Sequence, residues 1–242
     1  MNTSLLTEEL KISAGAPILD EFLNGGYEKG IITTIYGPSS SGKTNLCLVC
    51  LINFIKTTGK KVIYIDTESS FSVERFKQLD SDFRKTIEKI IFIRPTNFDE
   101  QMKAFEKLGK MTDEAKEPFG LVVVDSIAML YRLEISKRQE EVYDVNRDMS
   151  MQLAYLNEVA RKKNLPILIT SQVYSSFEEK DKIKIVGGDL LKYGSKCLIE
   201  LQKARNNIRK AILRKHRSLP EEREINFVIR EDGIDDFKGK NN

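Results

Sequence analysis

The sequence is short of the residues that build metal and redox centres. One histidine, His216, and three cysteines in 242 residues cannot assemble a zinc cluster of the Cys/His kind, and an odd, sparse cysteine count does not make a disulfide scaffold. No stretch approaches the roughly 20 uncharged apolar residues of a membrane span. The start, Met1-Asn2-Thr3-Ser4-Leu5-Leu6-Thr7-Glu8-Glu9, lacks the basic opening and apolar block of a secretory leader, so a cytoplasmic protein without a membrane partner is expected. An excess of either charge is also missing, since 39 Lys+Arg minus 36 Asp+Glu leaves +3. With 31% charged and 40% hydrophobic residues, disorder and collagen-like structure are excluded. Length over the roughly 150 residues of a typical domain predicts one large domain over 1–242, with a short N-terminal segment 1–30 and a frayed tail 238–242.

Runs of β-branched and aliphatic residues alternate with longer amphipathic stretches, the pattern of an α/β fold with a mostly parallel sheet flanked by helices. The expected strands are 31–36, 62–66, 90–93, 121–125 and 167–171. Leu121-Val122-Val123-Val124-Asp125 is continuously apolar and ends in an acid, as expected of a strand buried on both faces whose tip reaches a site. Between Lys137 and Lys163, Val142, Val145, Met149, Leu153, Leu156 and Ala160 recur in steps of three and four and predict a long helix. Arg161-Lys162-Lys163 suit its negative end, and Pro166 stops it. After Leu190, segments 196–204, 208–215 and 225–230 predict an antiparallel meander extending the same sheet.

Gly37-Pro38-Ser39-Ser40-Ser41-Gly42-Lys43-Thr44 has the G-x-x-x-x-G-K-S/T spacing of a phosphate-binding loop and sits between a predicted strand and an apolar stretch. Residue frequencies alone would produce that spacing in roughly one chain of this length in 100. Glycines let the backbone curl so that N–H groups and a positive helix end converge on phosphate oxygens. Residues 37–45, Asn45 included, are thus the expected ATP cradle, with Lys43 on the β- and γ-phosphates and the Thr44 hydroxyl on Mg²⁺. Asp125 is the second expected Mg²⁺ ligand. Cys47 and Cys50 have C-x-x-C spacing but lie in an apolar run and are expected to pack in a buried helix.

A phosphate loop leaves kinases, GTPases, transporters and recombinases open. Val62-Ile63-Tyr64-Ile65-Asp66-Thr67-Glu68-Ser69-Ser70-Phe71 through Arg75 resembles the D-T-E-G-T-F-R-P-E-R segment of the RadA recombinases. Thr170-Ser171-Gln172-Val173 is similar to their T-N-Q-V, Leu19 to Gly26 to their L-D-E-L-L-G-G-G, and Gly187-Gly188-Asp189-Leu190-Leu191 to their G-G-x-x-L. The resemblance runs from about residue 11 to 237. It implies a RecA-like P-loop ATPase core with Glu68 as catalytic carboxylate, Gln172 as γ-phosphate sensor opening a DNA-binding loop, and Arg75 stacked on adenine. Leu213-Arg214-Lys215-His216-Arg217-Ser218-Leu219-Pro220-Glu221 is similar to a K-H-R-S-x-P-E stretch of the family's short archaeal paralogues. Likeness to those implies ATP and DNA binding, very weak hydrolysis, no strand exchange, and regulation of a RadA-type recombinase.

Departures qualify that expectation. About 30 residues precede the phosphate-loop strand, leaving no room for the N-terminal helical domain of RadA or its filament-threading linker. Tyr193 stands where the family has a histidine. The second loop, Tyr174 to Val186, sets Glu178, Glu179 and Asp181 against Lys180, Lys182 and Lys184, so it offers little net counterion release. Tyr131-Arg132-Leu133-Glu134 matches the first loop, followed by a shorter insertion. Positive charge gathers instead at Lys203, Arg205, Arg209, Lys210, Arg214, Lys215 and Arg217, with no acid between Leu201 and Leu219. The last six are the expected sequence-independent DNA patch, since no aromatic interleaves them for base stacking. A signalling ATPase of the KaiC type and a nucleotide-gated interaction module stay open as rivals, as does a homodimer.

Overall fold

In chain order the strands are β1 (Lys11–Ile12), β2 (Tyr27–Glu28), β3 (Ile32–Tyr36), β4 (Lys61–Asp66), β5 (Ile90–Ile93), β6 (Phe119–Asp125), β7 (Ile167–Ser171), β8 (Val173–Ser175), β9 (Ile183–Ile185), β10 (Cys197–Lys203), β11 (Ile208–Lys215), β12 (Glu224–Ile229) and β13 (Ile234–Asp236). The helices are α1 (Pro17–Phe22), α2 (Lys43–Thr58), α3 (Val73–Leu79), α4 (Phe83–Ile87), α5 (Phe98–Glu114), α6 (Ala128–Lys137), α7 (Val142–Lys163) and α8 (Gly188–Gly194). This computed structural model describes residues 10–115, 117–175, 183–205 and 207–237. Glu178 to Lys182 and the tail 238–242 lie outside the described residues.

A nine-stranded sheet in the order β13-β12-β11-β10-β3-β7-β6-β4-β5 organises the chain. Strand alternation explains why it is covered on both faces. Val62, Tyr64, Leu121 and Val123 point into one apolar layer with Leu46 to Ile55 of α2 and Phe76 of α3. Ile63, Ile65, Val122 and Val124 point into the other, against Phe105 and Leu108 of α5 and Val145, Met149, Leu153 and Leu156 of α7. All five expected strands form, and β6 runs parallel between β4 and β7. The long helix starts at Val142, because α6 ends at Lys137 and a short 3-10 turn, Gln139–Glu141, intervenes. Asn164, left-handed at φ 49°, closes it ahead of Pro166. Cys47, Cys50 and Cys197 are free and buried.

The C-terminal meander extends the sheet, with one difference: β10 joins β3 in parallel, and the antiparallel run begins only at β11. The reason is topological. The chain returns to the sheet through α8, so β10 enters as a crossover strand and only its successors are hairpin-linked. Among the described residues no helix is long and apolar enough to cross a membrane.

The His216 segment fastens this meander to the N-terminal ribbon of β1 and β2. The His216 ring is shielded, and its Nδ1 accepts from the Ser218 and Leu219 amides at 3.1 and 3.2 Å, while Nε2 faces Glu28 at 3.8 Å. Arg217 closes on the same carboxylate. Burial chiefly lowers the His216 pKa below its usual 6.5, helped by Lys11, Arg217 and Arg223 and opposed by Glu28. A base with a depressed folded pKa adds stability above its unfolded value, and that stability is lost as pH falls from about 6.5 toward the folded pKa. Melting temperature should therefore drop between pH 7.5 and 5.5, and His216→Asn, which keeps an acceptor near Nδ1 but cannot titrate, should flatten the drop. An identical slope in the variant would contradict this role.

Candidate active site

Residues 37–42 connect β3 to α2, so the phosphate loop stands at the carboxyl end of an inner strand, where open α/β sheets bind ligands. Two glycines are required there. A Cβ on Gly37 would lie 2.3 Å from the Leu201 carbonyl of β10, and Gly42, at φ 106°, caps α2 with Ile229 Cδ1 only 2.8 Å from where its Cβ would be. The Lys43 ammonium donates to the carbonyls of Gly37 and Pro38 at 2.9 and 3.0 Å. Burial chiefly lowers its pKa, and Asp125 and Glu68 pull it back up. The Ser41 hydroxyl is buried with no hydrogen-bond partner.

Asp125, at the tip of β6, is 3% exposed. Its Oδ2 accepts from Thr44 Oγ1 at 2.7 Å, Tyr64 OH at 3.0 Å and Ser70 Oγ at 3.0 Å, and its Oδ1 accepts from Thr170 Oγ1. Beside it Glu68 accepts from Gln172 Nε2 on both oxygens, at 3.0 and 3.1 Å, and from the Ser126 hydroxyl. Thus the phosphate loop, β4, β6 and β7 bring Lys43, Thr44, Glu68, Asp125 and Gln172 together. The Asp125–Ser126 peptide is cis.

Sequence reasoning missed the supports: Tyr64, Asp66, Ser70, Ser126 and Thr170. Asp66 and Thr170 lie at strand ends and Ser126 follows Asp125, but nothing local to Tyr64 or Ser70 signals their part. Asp66 holds the turn that presents Glu68 by accepting the Ser70 and Phe71 amides at 3.0 and 3.3 Å. Ser69 in that turn is left-handed at φ 52°, where the resembled family has glycine. A non-glycine residue there costs about 1–2 kcal/mol.

Arg75 lies at the rim, with most of its donors committed. They reach Asn45 Oδ1 at 2.7 Å, Gln78 Oε1 at 3.0 Å, and the Glu231 and Arg230 carbonyls at 2.7 and 2.8 Å. Among the described residues, one Nη2 hydrogen and the faces of the guanidinium plane stay available.

Among the described residues, Lys210, Arg214 and Arg217 of the expected basic patch are ion-paired, whereas Arg205, Arg209 and Lys215 are not. Lys210 pairs with Glu224 at 2.6 Å, Arg214 with Glu200 and Glu222 at 2.7 and 2.5 Å, and Arg217 with Glu28. Lys215 donates to the Lys192 and Ser195 carbonyls, and Arg209 to the Ile208 carbonyl. Arg205 is exposed. Glu28 comes from β2, remote in sequence, while Glu200, Glu222 and Glu224 flank the basic segment, so only the strand pairing shows which cation each one meets.

A cradle with an orphaned hydroxyl, a glycine at the helix start, a lysine on the loop and hard oxygen donors at Thr44 and Asp125 fits a Mg²⁺-bound nucleoside triphosphate. Fold and site therefore define a RecA-type P-loop nucleotide-binding core. The Rad51 family model matches residues 6–237. The DNA repair and recombination protein RadB of Methanococcus maripaludis strain C7 is 43% identical over 219 residues, 90% of this chain and 97% of that protein. RadB of Methanocaldococcus jannaschii is 42% identical over 220 residues, covering 90% and 99%. A crystal structure described as the RadB recombinase superposes with a TM-score of 0.77 at 34% identity, over 94% of this chain and all of that one, 100%. The chain belongs to the Rad51 family and, within it, to the group of archaeal RadB proteins.

Gly37→Ala would drive a methyl into the Leu201 carbonyl and should destabilise the fold by about 1–3 kcal/mol through overpacking. Denaturant midpoints of the two proteins would show it, and equal midpoints would refute the tight loop–strand contact.

Proposed function

We propose that this chain is an ATP- and Mg²⁺-binding, DNA-binding protein of homologous recombination and DNA repair. It is built as one RecA-like domain, hydrolyses ATP slowly, and regulates a RadA-type recombinase in the cytoplasm without exchanging strands itself. The observation that carries the reading is the convergence of Lys43 and Thr44 with Glu68, Asp125 and Gln172 at neighbouring strand tips. Members of the Rad51/RecA family are ATPases, and relatives about 40% identical are named for DNA repair and recombination.

In this reading the loop amides and Lys43 bind the phosphates, Thr44 and Asp125 hold the metal, and the open face of Arg75 packs on adenine. Mg²⁺, when bound, supplies charge neutralisation at the phosphate oxygens. Glu68 orients water and accepts its proton at a carboxylate oxygen, and Gln172 reports on the γ-phosphate. Slow turnover follows from the bonds Glu68 already makes. Both its oxygens accept hydrogen bonds, from Gln172 and Ser126, and those donors compete with an attacking water for the same lone pairs. Lys43→Ala should abolish ATP binding, whereas Glu68→Gln should bind ATP normally and lose hydrolysis. Turnover equal to wild type in both would end the assignment.

DNA contact is proposed at the cleft of 610 Å³ between α6 and the β8–β9 ribbon, lined by Tyr131, Arg132, Tyr174 and Gly187 among others. Tyr174 is 52% exposed there and offers a stacking face, while Lys210, Arg214 and Arg217 of the basic segment are held in ion pairs. Arg132→Ala with Tyr174→Ala should weaken single-stranded DNA binding by on the order of 1–3 kcal/mol across sequences. Lys210→Ala, which removes a cation already neutralised by Glu224, should change it little. Filter binding over a salt series checks both, and the opposite ranking would return the DNA site to the basic strands.

A further inference from the structure

The basic segment sorts into two sets. Lys210, Arg214 and Arg217 are tied to carboxylates, whereas Lys203, Arg205, Arg209 and Lys215 make no ion pair among the described residues. Of these, Lys203 and Arg209 sit opposite each other across β10 and β11. They share a sheet face, because Ile199, Leu201, Ala211 and Leu213, which alternate with them, pack in the apolar layer that holds α2. That is the face on which the phosphate loop turns into α2.

The loop and the meander are in direct contact. β10 touches Gly37 through the Leu201 carbonyl, and β12 covers Gly42 with Ile229. Lys203, two residues beyond Leu201 on the same face, therefore leaves the strand beside the loop. Its charge is felt at Lys43: after burial, which is the main cause of the lowered Lys43 pKa, Lys203 lowers it further against the pull of Asp125 and Glu68. Meanwhile Arg209 Nε is buried with no hydrogen-bond partner. Like charges set close together and a buried N–H without an acceptor are both unfavourable, and a polyanion on the loop relieves both.

We infer that Lys203 and Arg209 are further phosphate-binding residues, forming a second cationic wall for the triphosphate seated on residues 37–44. This rests on the ATP reading above. The wall lies on the opposite side of β3 from Gln172, since β10 and β7 flank β3, so the loop is bracketed by cations on one side and by the Glu68–Gln172 pair on the other. The alternative target for the same charges is a DNA phosphate, and the test separates the two.

Calorimetric titration of the full chain with Mg²⁺ and a non-hydrolysable ATP analogue decides the matter. Lys203→Ala should raise the dissociation constant about tenfold, the scale of one charge-assisted hydrogen bond. Lys203→Arg should restore most of the affinity, Arg209→Gln should weaken binding in the same direction, and Lys210→Ala should leave it unchanged. Lys203→Ala and Arg209→Gln both within twofold of wild type, while Lys43→Ala binds poorly, would overturn the inference and leave the ATP reading intact. Wild-type affinity in Lys43→Ala would overturn both. Loss of DNA affinity in Lys203→Ala with full nucleotide affinity would also overturn it and assign the lysine to DNA.

Discussion

The site depends on one buried carboxylate. Asp125 is almost fully shielded, and a charge in that position is tolerable only when its lone pairs are hydrogen-bonded. The Thr44, Tyr64, Ser70 and Thr170 hydroxyls do this, and they belong to the start of α2, to β4, to the turn after β4 and to β7. Satisfying a single side chain therefore fixes the helix that carries the phosphate loop against three strand tips. The same lacing continues next door, where Thr67 Oγ1 donates to the Ser126 carbonyl at 2.6 Å and accepts from its amide at 3.1 Å, setting Glu68 within reach of Gln172. The bonds around Asp125 and Glu68 are one network, so rigidity of the site comes from polar closure over an apolar sheet.

Charge follows a different logic. The cations of β10 and β11 are dense in sequence, yet the antiparallel partners and the N-terminal ribbon bring Glu28, Glu200, Glu222 and Glu224 to them. Glu200 is buried and also meets the Tyr36 hydroxyl at 3.4 Å and Gln202 Nε2 at 2.5 Å, joining the meander to the strand that ends in the phosphate loop. The pairing ties the meander to the strand of the phosphate loop and to the N-terminal ribbon, and it leaves Lys203 and Arg209 without an ion pair among the described residues.

Much of this was legible beforehand. The five parallel strands followed from continuous apolar runs, and α7 from its repeat of three and four, because both patterns record burial that any packing of these residues must satisfy. Spacing alone marked residues 37–44, the apolar run of β6 marked Asp125 at its end, and Glu68 was marked by the family resemblance of the segment that follows β4. What escaped were the hydroxyls around Asp125 and the turn geometry at Asp66 and Ser69, since a serine or threonine carries no periodic signature and its role exists only once a remote acceptor arrives. The parallel entrance of β10 escaped as well, because hairpin-length turns reveal how its successors pair and nothing about its first neighbour.

Sequence by itself determined the phosphate cradle, the double-faced sheet and the family to which the chain belongs, because these rest on local spacing and on the side-chain period of each element. Tertiary structure alone decided which acids neutralise which cations, which hydroxyls close on Asp125, and which basic residues stand beside the phosphate loop. Those are contacts between residues 8 to 190 positions apart, as with Arg214 and Glu222 or Ser218 and Glu28. Their existence depends on strand order and register, which no linear pattern encodes.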